Sequence, residues 1–242
     1  MSLPLFLKPK GYCEILRVGP NKDGGYLVGK KSLVNSKYLI SFGIFDDWIF
    51  EKDFFKKNGT VQINCYDDVL SASWLFKNIF KFLINFKLNL TIKKIIIFID
   101  YFFTKKKINF IKKKIKSKDL IEISKYKKDI FLKIDIEGSE YRILNDILDI
   151  EKNLIGMIIE FHDVDLHLER IENFIKRLKY LKLIHIHPNN YGEINSENIP
   201  ALVELTFEKD PDLIYDEVHF PNSLDCKNKE NSEDIKLEFN KS

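Results

Sequence analysis

The sequence predicts an α/β fold in which a doubly wound, mostly parallel sheet carries helices on both faces. Along most of the 242 residues, apolar segments of strand length alternate with segments in which apolar residues recur at helical spacing. Hydrophobic residues make up 45% of the chain, which is enough for the core of one domain of this length. We therefore expect a single domain over residues 1–221 and a polar tail over residues 222–242 that is peripheral or partly disordered.

The first three predicted strands lie in the first half of the chain. Residues 37–43 form an apolar run that stops at Gly43, and residues 44–57 continue with apolar side chains at helical spacing. Residues 60–68 contain β-branched side chains and end in two aspartates, which indicates a second strand reached through a helical crossover. The isoleucine-rich residues 93–99 are the candidate third strand.

The second half of the chain supplies four further strands separated by helices. One helix is expected over residues 141–148 and an amphipathic helix over residues 171–181. The last strand begins at a proline, which strands tolerate at their first position. All four strands are short apolar runs, predicted at residues 129–135, 154–161, 182–187 and 200–207.

The segment from residue 77 to residue 118 departs from this alternation. It holds thirteen lysines and a single acid, Asp100, interleaved with apolar residues, and it is long for a connection between strands. One interpretation is an insertion made of two amphipathic helices with a solvated lysine face. The other is a lid or docking surface for an anionic substrate, such as a phosphorylated sugar or a nucleotide-linked glycan.

The composition limits the cellular compartments and the binding partners that are expected. The three cysteines, Cys13, Cys65 and Cys226, are widely spaced and odd in number, which favours reduced thiols in a cytoplasmic protein. The longest apolar run, residues 95–103, is too short to span a bilayer and no secretory signal is recognisable. A net charge of +3 gives no support for nucleic-acid binding. The use of lysine over arginine is typical of an AT-rich genome, and a bacterial source is expected.

Small or acidic residues end four of the predicted strands, namely Gly43, Asp67, Asp135 and Glu160. Ligands of open α/β sheets bind outside the carboxyl ends of the strands, so these residues are expected at one edge. A glycine after the first strand lets a cofactor approach the backbone, and an acid after the second can bind a ribose diol. Because SFGIFDD replaces the GxGxxG motif, a nucleoside without pyrophosphate fits better, and S-adenosylmethionine is one.

Several blocks of the sequence follow one another over residues 17–207, namely DGGY, SFGIFDDWIFE, CYDD, FLKIDIEGSEYRIL, MIIEFHD and HPNNYG followed by IPALVELTF. In content and order these blocks resemble the FkbM-type family of S-adenosylmethionine-dependent methyltransferases. The resemblance implies a Rossmann-like, seven-stranded, mostly parallel sheet whose last strand is antiparallel. It also implies the cofactor S-adenosyl-L-methionine and O-methylation of a sugar, glycan precursor or related metabolite, as in capsule or polysaccharide biosynthesis.

The same resemblance assigns cofactor residues. Gly43 would border the methionine part of the cofactor, and Asp67 would bind its ribose. Asp46 and Glu51 are further candidate contacts, with an N-capping or surface position on the first helix as the alternative for each.

Methyl transfer to oxygen or nitrogen requires alignment of the acceptor and removal of its proton. Asp135 and Glu137 are expected beside the acceptor, where a carboxylate acts as general base or holds Mg²⁺ or Mn²⁺. The candidate metal or base cluster comes from adjacent strand ends and consists of Asp135, Glu160 and His162, with His162 also a candidate catalytic residue. Glu140 is interpreted as a first-turn acid that stabilises the following helix.

Three further side chains, Tyr26, His187 and Asn190, are candidates for binding the substrate. His185 is expected to be structural, inside a strand. One alternative function is N-methylation of a small phosphorylated amine, with the lysine-rich segment binding the phosphate. Another is a non-catalytic nucleotide-binding or RNA-binding protein, although no recognisable RNA-binding motif supports a nucleic-acid partner. The preferred partner is a small-molecule or glycan-precursor substrate, and a homo-oligomer is left open.

Overall fold

The structure, a computed structural model, describes residues 3–214 and 220–240. The described residues form a seven-stranded sheet and a separate two-stranded antiparallel hairpin. The strands are β1 (Ile15–Val18), β2 (Tyr26–Gly29), β3 (Tyr38–Phe42), β4 (Gln62–Asp67), β5 (Ile108–Lys112), β6 (Ile130–Ile134), β7 (Leu154–Phe161), β8 (Leu181–Pro188) and β9 (Val203–Lys209).

Helices connect the strands and cover both faces of the sheet. Short 3₁₀ turns precede or follow some of them, at Leu5–Leu7, Glu140–Arg142 and Glu151–Asn153. The α-helices are α1 (Lys30–Asn35), α2 (Ile49–Asn58), α3 (Ala72–Ile84), α4 (Leu88–Thr104), α5 (Asp119–Ser124), α6 (Leu144–Ile150) and α7 (Val164–Arg177).

The large sheet has the order β5-β4-β3-β6-β7-β9-β8. All its neighbouring pairs are parallel except those of β9, which runs antiparallel to both β7 and β8. The predicted fold class, a seven-stranded sheet with an antiparallel last strand, is therefore confirmed. Strand order reverses between β3 and β6, and such a switch point opens a crevice at the carboxyl ends of the strands.

Burial on both faces explains why the central strands read as continuous apolar runs. Alternate residues of β6 enter opposite cores: Leu132 and Ile134 contribute to one cluster, and Phe131 to the other. Each large apolar side chain removed from water contributes about 1.5–3 kcal/mol. The same alternation places Lys133 on the Phe131 side, so a lysine with 4% exposure is held among apolar residues.

The predicted third strand over residues 93–99 is wrong, because these residues lie inside α4. The third strand of the crossover is β5, a five-residue segment flanked by lysines. β-branched runs favour strands only weakly, and helical packing of α4 against α3 overrides that preference here. Of the two interpretations of residues 77–118, the paired helices describe the local structure.

The described residues 222–240 of the predicted C-terminal tail are exposed or half-buried apart from Asn228, and specific contacts attach them to the rest of the fold. Asn228 is 3% exposed, and the backbone amide of Leu3 donates to the carbonyl oxygen of Glu238 at 2.6 Å. Residues 241–242 of the predicted tail lie outside the described residues. No helix within residues 3–214 and 220–240 is long and apolar enough to cross a membrane.

Candidate active site

A cavity of about 680 Å³ lies at the carboxyl ends of β3, β4 and β6. At its centre Gly43 has a φ of +75°, and a Cβ atom built on it would lie 1.5 Å from the carbonyl oxygen of Asp135. Only glycine combines that backbone conformation with so close an approach. The volume falls within the range of small-molecule sites, and the backbone at Gly43 is open to a ligand.

Asp67 fastens the loop after β3 to the start of the segment after β4. One carboxylate oxygen accepts the backbone N–H of Phe45 at 2.9 Å, and the other accepts those of Val69 and Leu70 at 2.8 Å each. The Asp67 side chain also lines the cavity. An ionised carboxylate has lone pairs beyond these three bonds, so a further donor from a ligand can be accommodated.

Asp46 and Glu51 both line the cavity, and neither is a surface acid. Asp46 forms an ion pair with Lys94 of α4, while Glu51 is 1% exposed and accepts the hydroxyl of Ser41 at 2.6 Å. The N-cap of α2 is Trp48, and Asp47 before it accepts the backbone N–H of Ile49 at 2.9 Å. The N-capping and surface alternatives are therefore wrong for both residues.

Lys133 supplies a buried positive charge beneath the cavity. Its ammonium group lies 5.3 Å from the centre of the Tyr26 ring and 6.0 Å from that of Phe50. Burial acts to lower the Lys133 pKa, but the carboxylates of Asp135 and Glu51 outweigh it and raise the pKa above its ordinary value. Lys133 is thus a fixed cation that balances the acids around it.

Tyr26 joins two carboxyl groups from neighbouring strands. Its hydroxyl lies 3.2 Å from an oxygen of Asp135 and 3.2 Å from an oxygen of Glu160. Burial, reinforced by these acids, raises the Tyr26 pKa well above its ordinary value, so the phenol stays protonated. A phenol has one proton to donate, and two carboxylates therefore cannot both be satisfied unless one is itself protonated.

Glu160 is the better candidate to hold that extra proton. Burial and the neighbouring Asp135 raise the Glu160 pKa well above its usual range. Burial also raises the Asp135 pKa, but the positive charges of Lys133 and His162 oppose the increase. Asp135, which is only partly buried and lines the cavity, is left as the ionised member facing a ligand.

His162 is held between two glutamates. Its Nδ1 lies 3.1 Å from Glu140, and its Nε2 lies 3.4 Å from Glu137. Burial acts to lower the His162 pKa, yet the hydrogen bond to Glu140 and the surrounding carboxylates raise it above 6.5. Glu140 lies in the first turn of the 3₁₀ segment, as predicted, but its carboxylate is fully buried and also accepts the backbone amides of Ile136 and Gly138.

The structure changes the candidate metal cluster. Ligand atoms of Asp135, Glu137 and His162 lie within 4.8 Å of one another. Glu160, predicted in place of Glu137, has its carboxylate oxygens engaged by Tyr26 and by the side-chain amide of Asn189 at 3.0 Å. Within the described residues, the one group of this kind is therefore the triplet containing Glu137.

Residues 60–182 match the family described as Methyltransferase FkbM domain. The chain belongs to this family. The matched segment runs from β4 to the start of β8 and includes the Asp135 and His162 blocks. The protein is an S-adenosylmethionine-dependent methyltransferase. No curated protein sequence matches it.

Solved structures similar to this FkbM methyltransferase are distant. TrmK of M. capricolum, in complex with S-adenosyl-homocysteine, is 15% identical, with 78% of this chain and 70% of that chain covered and a TM-score of 0.39. Precorrin-6y C5,15-methyltransferase from Geobacter metallireducens is 8% identical, with 74% and 84% covered and a TM-score of 0.40. An rRNA methylase from Streptococcus thermophilus is 11% identical, with 74% and 92% covered and a TM-score of 0.39.

Two predicted substrate residues of the FkbM methyltransferase hold the C-terminal tail instead. His187 is 4% exposed, and its Nε2 lies 3.0 Å from the side-chain oxygen of Asn228. Asn190 donates to the carbonyl oxygens of Lys229 and Glu233. Neither side chain lines the cavity, so the structure corrects their assignment as substrate contacts.

Neither Tyr26 nor His185 lines the cavity. Tyr26 is 2% exposed and contacts the cavity acid Asp135, so it would act through that residue and not on the substrate directly. His185 pairs with Asp225 at 2.9 Å, in agreement with the expected structural role. The pairing of His185 with Asp225 was difficult to predict from the sequence, because Asp225 lies in a segment whose polar composition resembles a solvated tail.

The buried pair formed by His187 and Glu204 predicts that stability falls as the pH rises. Burial acts to lower the His187 pKa, but Asp225 and Glu204 raise it from 6.5 to about 9. Burial raises the Glu204 pKa from 4.5 to about 7. Between its unfolded and folded pKa values, each group is still protonated in the folded chain but has lost its proton in the unfolded chain. The free energy of unfolding therefore decreases from about pH 5 to about pH 9.

Urea unfolding across that pH range measures the effect. His187 accounts for a loss on the order of 3 kcal/mol between its unfolded and folded pKa values. His187→Gln should remove the His187 contribution above pH 6.5 and leave the curve below pH 6.5 nearly unchanged. Because the His187 charge lowers the Glu204 pKa, the decrease due to Glu204 should extend to higher pH in this variant. A wild-type stability that rises with pH in this window would contradict the assignment.

Proposed function

We propose that this FkbM methyltransferase transfers a methyl group to a hydroxyl of a sugar, a glycan precursor or a related small metabolite. The observation that carries the proposal is the carboxylate of Asp135, which lines the cavity next to Gly43 and is surrounded by Lys133 and Tyr26. A partly buried carboxylate with a raised pKa is a better proton acceptor for a hydroxyl than an ordinary aspartate.

The volume and the charge of the cavity suit S-adenosylmethionine. Gly43 would border the methionine part, where a side chain is excluded, and Asp67 would accept the ribose hydroxyls. The cavity is lined by eight acidic residues against three lysines. That excess of negative charge suits a ligand that carries a positive sulfonium and a positive ammonium group. Glu51 and Asp46 are further candidates on the same wall.

In the proposed mechanism, the residues around Asp135 prepare an acceptor hydroxyl for attack. S-adenosylmethionine supplies an electrophilic methyl group on its sulfonium sulfur. Asp135 accepts the proton of the hydroxyl, while the Tyr26 hydroxyl orients the carboxylate from behind. Lys133 keeps its charge throughout, and its positive charge limits how far burial raises the Asp135 pKa.

The acidic lining also bears on the class of acceptor. A neutral polyhydroxyl compound can donate hydrogen bonds to these carboxylates, whereas the phosphate backbone of RNA would be repelled by them. Lys113 and Lys114 line the cavity beside Asp67, where Lys113 pairs with Asp119 and Lys114 with Asp68. They can bind a phosphate group only by exchanging these partners. A phosphorylated sugar stays within the proposal on that condition, and a small phosphorylated amine, with its ammonium group toward the acids, is the second candidate.

A divalent cation would fit beside the same acceptor. Asp135, Glu137 and His162 would hold it, and Glu140 would orient the imidazole by binding its Nδ1. A cation there supplies Lewis acidity that lowers the pKa of a bound hydroxyl. Because the set includes an imidazole, it suits Mn²⁺ better than Mg²⁺, which prefers oxygen ligands.

Chelation tests the metal arrangement. If the cation takes part, exhaustive treatment with a chelator should lower turnover, and added Mn²⁺ should restore it more fully than Mg²⁺. The loss should be greater at lower pH, since the proton on His162 competes with the metal. Full activity after chelation would leave Asp135 to act without a metal.

Replacing Asp67 tests the placement of the cofactor. Asp67→Ala should weaken binding of S-adenosylhomocysteine about tenfold or more, because a ribose diol loses a charge-assisted acceptor. Asp149→Ala is the matched control, since Asp149 is an exposed acid that does not line the cavity. Isothermal titration calorimetry on the two variants measures the affinities. Equal affinities for Asp67→Ala and wild type would remove Asp67 from the cofactor site.

An acceptor screen tests the proposed reaction itself. Purified enzyme is supplied with labelled S-adenosylmethionine and panels of free sugars, phosphorylated sugars, nucleotide sugars, phosphorylated amines and RNA. Label on a sugar hydroxyl, lost in Asp135→Asn, is the expected result. Transfer to an amine nitrogen would support the second candidate, and transfer to RNA alone would overturn the assignment to small metabolites.

A further inference from the structure

Helices α3 and α4 form a hairpin whose outward surface is apolar. The side chain of Phe86 at the turn is 89% exposed, and that of Ile84 beside it is 71% exposed. The surface is continuous across the two helices, since the rings of Phe76 and Phe98 lie 5.9 Å apart. Further exposed apolar side chains along the hairpin include Phe80, Leu88, Ile96 and Phe103. Exposure of this extent marks an interaction surface.

The opposite side of the hairpin is anchored to the rest of the fold. Trp74 packs against Phe45 with their rings 5.0 Å apart. Asp100 accepts the indole N–H of Trp48 at 2.7 Å and pairs with Lys52 at 2.8 Å. The inner face of the hairpin therefore packs against the rest of the fold, whereas the outer apolar face has no partner among the described residues.

Lysines flank this outer face. Residues 77–118 contain thirteen lysines and one acid, and that acid, Asp100, is used on the inner face. Within residues 3–214 and 220–240, the exposed lysines Lys77, Lys81, Lys87 and Lys93 have no carboxylate partner. The surface therefore combines apolar side chains with uncompensated positive charge.

A second copy of the chain is a poor occupant for such a surface. A two-fold contact places the same patch of both copies together, so lysines would face lysines with no free acid in the segment to offset them. The α4 helix has only 17 residues, and no described helix is long and apolar enough to cross a membrane. A partner that is anionic at its surface and apolar beneath satisfies both properties at once.

We propose that the α3–α4 hairpin docks the enzyme on the surface of a bilayer containing anionic phospholipids. Phe86 and Ile84 at the turn enter the boundary between headgroups and acyl chains, and the flanking lysines bind the phosphates. The helices lie in the plane of the interface, with lysine stems covering apolar surface while their ammonium groups reach the headgroups.

Docking would bring the active-site cavity close to the bilayer. Two cavity-lining residues contact the hairpin directly: Phe45 through Trp74, and Asp46 through its ion pair with Lys94. The docking surface is separate from the catalytic acids, so membrane binding does not depend on the identity of the acceptor.

Vesicle flotation with the full-length chain tests the proposal. Binding to phosphatidylcholine vesicles containing about one third phosphatidylglycerol should exceed binding to pure phosphatidylcholine about tenfold or more, and should weaken at high salt. Ile84→Ser combined with Phe86→Ser should lower vesicle binding about tenfold or more. Tyr126→Ser is the matched control, because Tyr126 is 87% exposed and lies outside the hairpin.

Charge variants separate the electrostatic attraction of the lysines from the insertion of the apolar side chains. Lys81→Gln with Lys87→Gln should reduce binding to the anionic vesicles only, whereas Lys125→Gln with Lys128→Gln, outside the hairpin, should not. Phe86→Trp gives a readout on an otherwise native surface, with the expected blue shift of fluorescence on adding anionic vesicles. Affinity for S-adenosylhomocysteine should stay at the wild-type value in every variant.

Three outcomes would overturn the proposal. One is the absence of flotation with anionic vesicles together with an unshifted Phe86→Trp spectrum. Another is flotation that the hairpin variants do not reduce. The third is a dimer, seen by light scattering without lipid, that Phe86→Ser dissociates and that leaves vesicle binding absent, which would assign the face to a second copy.

Discussion

Asp135→Asn is expected to lower turnover about 10²- to 10⁴-fold while the chain remains folded. The amide keeps the size of the carboxylate and still accepts the Tyr26 hydroxyl, but it removes the base from the cavity. Affinity for S-adenosylhomocysteine should change little, because the cofactor is assigned to the Gly43 and Asp67 side of the cavity. Single-turnover rates and calorimetry on the same preparation measure the two effects separately.

Glu137→Gln provides the comparison that distinguishes a direct base from a metal ligand. The Glu137 side chain is 88% exposed, and it reaches the site through His162. If Asp135 acts as a base without metal, Glu137→Gln should retain most of the wild-type rate. If a cation is bound, both substitutions should lower the rate and the response to Mn²⁺ together. A fully active Asp135→Asn enzyme would refute the catalytic assignment in either case.

The central sheet was predictable from the sequence because its physical basis is local. Buried parallel strands such as β6 and β7 read as short apolar runs, and Gly43 marks a turn that side chains cannot make. The gathering of Asp67 and Asp135 at one cavity followed from strand direction alone. Topology therefore placed these residues without any knowledge of contacts.

The remaining features depend on tertiary contacts that a single sequence does not specify. Residues 93–99 have strand-like composition, and their helical state comes from packing α4 against α3. Asp225 and Asn228 have the polar surroundings of a solvated tail, yet they complete the bonding of His185 and His187. The role of Glu140 was missed for the same reason, since its carboxylate binds His162 from a distant strand end.

Gly43→Ala is expected to abolish measurable cofactor binding, with a loss of about 100-fold or more in affinity for S-adenosylhomocysteine. The new Cβ would have to sit 1.5 Å from the carbonyl oxygen of Asp135, at a φ of +75° that disfavours an L-residue by about 1–2 kcal/mol. Because β3 and β6 are paired at this point, relief of the clash must displace the loop that receives the cofactor and the backbone that carries Asp135. Unfolding free energy should fall by several kcal/mol as well.

Gly59→Ala measures the cost of a positive φ for an alanine in the absence of a steric clash. Gly59 has a φ of +85° at the end of α2, but a Cβ there meets no atom within 4 Å. That variant should lose about 1 kcal/mol of stability and keep wild-type affinity for S-adenosylhomocysteine, since it lies outside the cavity lining. Urea unfolding and calorimetry on both variants decide the matter. A folded Gly43→Ala protein that binds S-adenosylhomocysteine as tightly as Gly59→Ala would show that the cofactor does not approach the backbone at Gly43.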